Sequence, residues 1–205
     1  EIWVWPEGID SLTDKTPDGG WHLAFLVENK QGYHNLCHLI TEAIYHGMHY
    51  RPRIDFSQLE RYSEGLIALT SGLNGPLGHA LRSFKTEEDV RRNLQRLGDI
   101  FGEDRLFLEM QDFAIPQQED LNALARNMSK EFNLRTVVTN DVRYIKPYDA
   151  VTLDMLNCIS KGEKMDNIDR FGIETDQQYF KSEEEMRVLF PNDPEALDVT
   201  VQIAE

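Results

Sequence analysis

Four runs of strand length constrain this chain most. They lie at 21–27 (WHLAFLV), 65–70 (GLIALT), 105–110 (RLFLEM) and 134–139 (LRTVVT). Each is apolar almost throughout instead of alternating, the pattern of a strand covered on both faces. Helical patterns separate them. A helix is predicted over 33–50, with Leu36, Ile40, Ile44 and Met48 four apart. Another opens at Thr86 with Glu87, Glu88 and Asp89 in its first turn and ends at Phe101–Gly102. Others are predicted over 117–132 after Pro116, over 147–159, over 182–190, and from Pro194 to the last residue. The segment at 13–20 (TDKTPDGG) reads as a loop, and 51–57, with its RPR, as irregular. Strand and helix in alternation define an α/β protein with a mainly parallel sheet, either a barrel or a doubly wound sheet. Chemistry in both sits where strands end at their C-terminal edge.

Charge narrows the partners. The 205 residues carry 21 Lys plus Arg against 36 Asp plus Glu, a net charge of −15. Such a surface does not grip nucleic acid or an anionic membrane by itself, because phosphate binding needs a concentrated positive field. No run reaches the roughly 18 apolar residues of a membrane span. Cys37 and Cys158 make neither a disulfide framework nor a CxxC pair, so a reduced, cytoplasmic setting is expected. The chain opens at Glu1 directly into the strand-like IWVW, and its last helix has no stop signal. Both ends read as cut from a longer polypeptide.

The phosphate-loop, dinucleotide and serine-hydrolase motifs have no counterpart here. What remains is a set of polar groups at strand ends: Glu1, Glu109, Asp112 and Asp141, with His22 inside an apolar strand. Carboxylates and imidazoles converging at a barrel mouth suit divalent-metal chemistry on phosphoesters. The plainer alternatives are a helix cap or loop anchor for each Asp and a satisfied core residue for His22. His34 and His38 flank Cys37 at helical spacing and read as a half-exposed face. His46, His49 and His79 have no partner pattern, and Glu183–Glu185 read as a solvated first helical turn.

Six phrases together are more specific: GYHNLCHLITEAIYHG at 32–47, YSEGLIALTSGLNG at 62–75, FGEDRLFLEMQD at 101–112, TVVTNDVRYI at 136–145, ETDQQYFKSEEEMRVLF at 174–190 and PEALDVTVQIAE at 194–205. In this order they resemble the PHP (polymerase and histidinol phosphatase) domain of bacterial DNA polymerase III alpha subunits. The resemblance implies a distorted (β/α)7-type barrel, incomplete at the N-terminus. It implies a partial barrel at 1–173, and a barrel end leading toward a polymerase palm at 174–205. The polymerase aspartates would then lie outside the chain.

The family's metal cluster carries over in part. Glu1 looks like the acid that ends a GxE-type phrase, His22 like the histidine of the HL strand, and Asp141 like the Asp of NDxH. Two positions depart: Gly72 stands where metal-binding members carry Cys, and Arg143 where they carry His. Arginine stays protonated and cannot ligate a metal. The expectation is therefore a vestigial site without a tightly bound cofactor, the alternative being Zn, Mn or Mg held there. Arg143 is expected to substitute for the metal charge by bridging Glu1 and Asp141. The implied role is a degenerate scaffold whose partners are the rest of the alpha subunit and the proofreading exonuclease subunit, with DNA met through other domains. The competing roles are a live metal-dependent 3′–5′ exonuclease or pyrophosphatase domain, and a free-standing metal hydrolase.

Overall fold

The computed structural model describes residues 1–13, 19–82, 86–167, 169 and 172–205. The loop expected at 13–20 falls mostly on 14–18, outside the described residues. The chain divides into two compact units. The first comprises 1–109 with 123–136, the second 110–122 with 137–205.

The first unit is an open sheet with helices. Its strands are β1 (Ile2–Val4), β2 (Trp21–Val27), β3 (Met48–His49), β4 (Arg51–Ile54), β5 (Leu66–Leu69) and β6 (Leu106–Met110, whose last residue belongs to the second unit), in the order β3-β4-β1-β2-β5-β6. Strand β1 runs parallel to β4 and β5 parallel to β6, while β1–β2, β2–β5 and β3–β4 are antiparallel. The α/β class stands, but the sheet is mixed instead of mainly parallel. The apolar runs reported burial on two faces, and burial alone does not set strand direction.

Helix α4 (Glu87–Phe101) forms as its sequence dictates. Thr86 accepts from the Asp89 N–H in a capping box, and Gly102 ends the helix at φ 72°. Its buried stripe is Val90, Leu94, Leu97 and Phe101, and it packs on α2 (Phe56–Tyr62), α3 (Pro76–Arg82) and β5. Helix α1 differs from expectation. It spans Lys30–Tyr45 and buries Gly32, Asn35, Leu39 and Ala43. Ile40, Ile44 and Met48 are exposed, and Met48 belongs to β3. The chain leaves the helix at Gly47, where a Cβ would lie 1.9 Å from the carbonyl oxygen of Arg53. The segment containing RPR is not irregular but is strand β4, with Pro52 opposite Met48 in the two-residue β3 pairing.

The second unit holds the end of β7 (Arg135–Val138), α6 (Ala150–Lys161), α7 (Glu183–Leu189) and α8 (Pro194–Ala204); α5 (Pro116–Phe132) crosses the division. Thr139 N–H donates to the Met110 carbonyl at 3.1 Å. Thr175 Oγ1 donates to the Phe113 carbonyl at 2.6 Å, and Tyr144 pairs with Tyr179 in a parallel bridge. Ser182 caps α7 in a second capping box, and Glu183–Glu185 are solvent-exposed as expected. Phe190, Ala196 and Val199 are buried where α7 meets α8.

Candidate functional site

In the first unit the β1–β2 register sets Trp3 opposite His22. Their rings meet edge-on at 3.9 Å between centroids, and the Arg51 guanidinium sits 4.0 Å over Trp3. His22 Nδ1 lies 3.1 Å from Glu1 Oε2. Burial pulls the His22 pKa below its ordinary value, and the hydrogen bond and charge of Glu1 only partly oppose this. The ring is therefore neutral at pH 7. A carboxylate only accepts, so Nδ1 carries the proton and Nε2 keeps its lone pair. Nε2 is buried and has no partner among the described residues. An imidazole held at one nitrogen by a carboxylate and bare at the other is oriented as a metal-ligating histidine is. His22 is thus a partly buried strand residue with one ring nitrogen held by Glu1.

In the second unit Asp141 stands just beyond β7 with φ 37°, a left-handed conformation that Asp tolerates better than most residues. Its Oδ2 accepts twice, from Arg143 Nη2 at 2.9 Å and from Gln178 Nε2 at 2.9 Å. Gln178 also accepts the Arg143 N–H on its carbonyl at 2.8 Å, which ties the two donors together. Gln178 escaped the sequence analysis because its partner is 37 positions away. The QQ of the 174–190 phrase was the only local trace.

Gly72 begins a short turn after β5, with φ 49°, and brings no side-chain donor; the hydroxyl of neighbouring Ser71 is buried without a partner among the described residues. Glu109 is buried on β6, its N–H donating to Thr70 Oγ1 at 2.9 Å. Asp112 is a loop anchor, accepting the Ala114 N–H at 2.9 Å. His38 stacks on Tyr62 at 5.1 Å, and Glu42 approaches His46 at 3.8 Å, so both histidines have structural contacts.

These residues do not fit a closed metal centre. Among the described residues no three His, Cys, Asp or Glu side chains converge as ligands would. One position expected to ligate is a glycine, another a cation already bonded to the neighbouring carboxylate. His22 alone keeps a ligand's geometry.

The first unit is thus a mixed α/β sheet with helices, carrying His22 within β2 and Glu1 just ahead of β1. Residues 3–113, more than half of the chain, match the PHP domain model, and the chain belongs to that family. It is 34% identical over its whole length to the DNA polymerase III subunit alpha of Treponema pallidum, covering 18% of that relative. It is 37% identical over 90% of its length to that of Borreliella burgdorferi, and 34% over 96% to that of Thermus aquaticus, covering 16% of each. The chain thus spans less than a fifth of the length of these curated relatives. No described helix is long and apolar enough to cross a membrane.

Proposed function

We propose that this PHP segment serves a replicative DNA polymerase as a degenerate scaffold, supporting the polymerase body and docking its proofreading exonuclease in the cytoplasm. The Arg143–Asp141 contact carries this reading. Arg143 stands at the sequence position where the resemblance implies a ligating histidine, and Asp141 Oδ2 already accepts two donors. A metal would have to displace both. The net charge of −15 supports the same reading, since DNA contacts then belong to other domains.

The test is a 3′–5′ exonuclease assay of the purified protein on single-stranded DNA with Mn²⁺, Mg²⁺ or Zn²⁺. The scaffold reading expects background rates that Asp141→Asn leaves unchanged. A robust rate that this substitution abolishes would overturn it. One observation favours the second reading, a live metal-dependent phosphoesterase: the unpartnered Nε2 of His22. In that case His22→Ala would abolish the same rate.

A further inference from the structure

A cavity of about 480 Å³ lies within the first unit, between the C-terminal end of β1 and the start of α4. It takes no part in the site above. Its inner wall is apolar, from Trp21, Pro76, Ala80 and Val90, and Trp5 stands beside it. Gly20 helps to keep it open. Its φ is +98°, and a Cβ there would meet the Val4 carbonyl oxygen at 2.5 Å, so no side chain can fill this wall.

Two polar groups of the lining, Arg96 and Asn93, are donors without a hydrogen-bond partner among the described residues. Arg96 sits with its guanidinium 3.8 Å over Phe56, which meets Trp21 edge-on at 6.0 Å. Arg96 has no carboxylate partner among the described residues, although the chain holds 36 acids. The Asn93 amide has no hydrogen bond there either. The indole N–H of Trp21 is buried and unpartnered among the described residues. Of the two carboxylates on the rim, Asp89 is engaged by Thr86 and Arg92, and Glu7 is exposed. A guanidinium seated on a ring keeps its in-plane N–H groups for an anion such as a phosphate. A volume in this range, walled by aromatics with a few convergent donors, suits a small ligand.

We propose that this cavity binds a small phosphate monoester with a flat apolar body, of the size of a mononucleotide. The flat body lies against Trp5, and the anionic group meets Arg96 and Asn93. Glu7 and the net negative charge of the chain disfavour a polyphosphate, so added phosphates bring no affinity.

Isothermal titration of the purified protein with dAMP, phenyl phosphate, dATP and inorganic phosphate tests this. Saturable binding of dAMP is expected, with dATP no tighter and inorganic phosphate silent. Arg96→Ala should weaken dAMP roughly tenfold or more, as loss of a charged hydrogen bond does. Arg96 is exposed, so this variant should fold, and circular dichroism checks that it does. Glu7→Gln should tighten dAMP binding. Binding of phenyl phosphate alone supports the proposal and assigns an aryl anion instead of a nucleotide. Binding of neither organic anion overturns it, as does dAMP binding that folded Arg96→Ala leaves intact. The exonuclease assay does not depend on this cavity, so either reading can fail alone.

Discussion

Arg143 Nη2 donates to Asp141 Oδ2 across 2.9 Å, two residues along the same loop. Both side chains are partly exposed, so the pair adds little to stability. Its consequence is chemical: it fixes a positive charge beside the Asp141 carboxylate. Arg143→His removes that charge and restores an imidazole. Affinity for Mn²⁺ or Zn²⁺ should rise by about 10- to 100-fold, the range that changes around a metal's ligands commonly span. Titration calorimetry of the two proteins reads this directly.

Gly32 lies in the first turn of α1, where alanine ordinarily favours a helix by about 1 kcal/mol. Here the sign reverses. A Cβ at Gly32 would fall 1.8 Å from the Gly65 carbonyl oxygen, which is backbone and already accepts the Glu28 N–H at 3.0 Å. Gly32→Ala should therefore lose roughly 3 kcal/mol in denaturant unfolding, as overpacking of a tight contact does. A stabilised variant would contradict the close approach.

Asp55 caps α2, accepting from Ser57 and Gln58, and also accepts the Ile9 N–H at 2.9 Å. Burial pushes its pKa up, but these hydrogen bonds outweigh burial and hold it below the ordinary carboxylate value. The folded state thus binds the proton less readily than the unfolded chain. The stabilisation is fully present above about pH 4 and is lost as pH falls through the lower folded value. Asp55→Ala should cost about 2 kcal/mol at pH 7. The gap to wild type should narrow in unfolding curves recorded below pH 4.

Asn122, on α5, acts as a substitute strand for Gln111. Its Oδ1 accepts the Gln111 N–H at 3.3 Å, and its Nδ2 donates to the Gln111 carbonyl at 2.9 Å. Gln118, also buried, accepts the Phe113 N–H at 2.6 Å. Together they satisfy the backbone of the loop that carries Asp112. Asn122→Ala removes both of these buried hydrogen bonds and should cost about 2–3 kcal/mol. Thermal unfolding measures it; a change within about 0.5 kcal/mol would show that water replaces the side chain.

Helices with strong ends were legible from the sequence. Thr86 and Gly102 bracket α4 within a residue of its observed limits, and Pro116 opens α5. Helix α1 was placed, but its faces were exchanged. Both sides carry apolar residues, and Gly32 and Asn35 sit on the buried one, so the Ile40–Ile44 stripe looked the better core. Short α2 left a readable sign, the capping box Asp55-x-x-Gln58, which lay inside a segment dismissed for its proline. Glu1 and His22 in the first unit, and Asp141 and Arg143 in the second, could be named from local phrases. The pairing of His22 with Glu1 needed the β1–β2 register, and Gln178 needed contacts that only the folded chain makes.

The proposed reading is a PHP segment without a tightly bound metal, in which the Arg143 guanidinium bonds Asp141. Metal analysis of the purified, unchelated protein by mass spectrometry tests it most directly. The account predicts zinc and manganese far below one ion per chain, unchanged in Asp141→Asn. A stoichiometric, dialysis-resistant ion that Asp141→Asn or His22→Ala releases would contradict it.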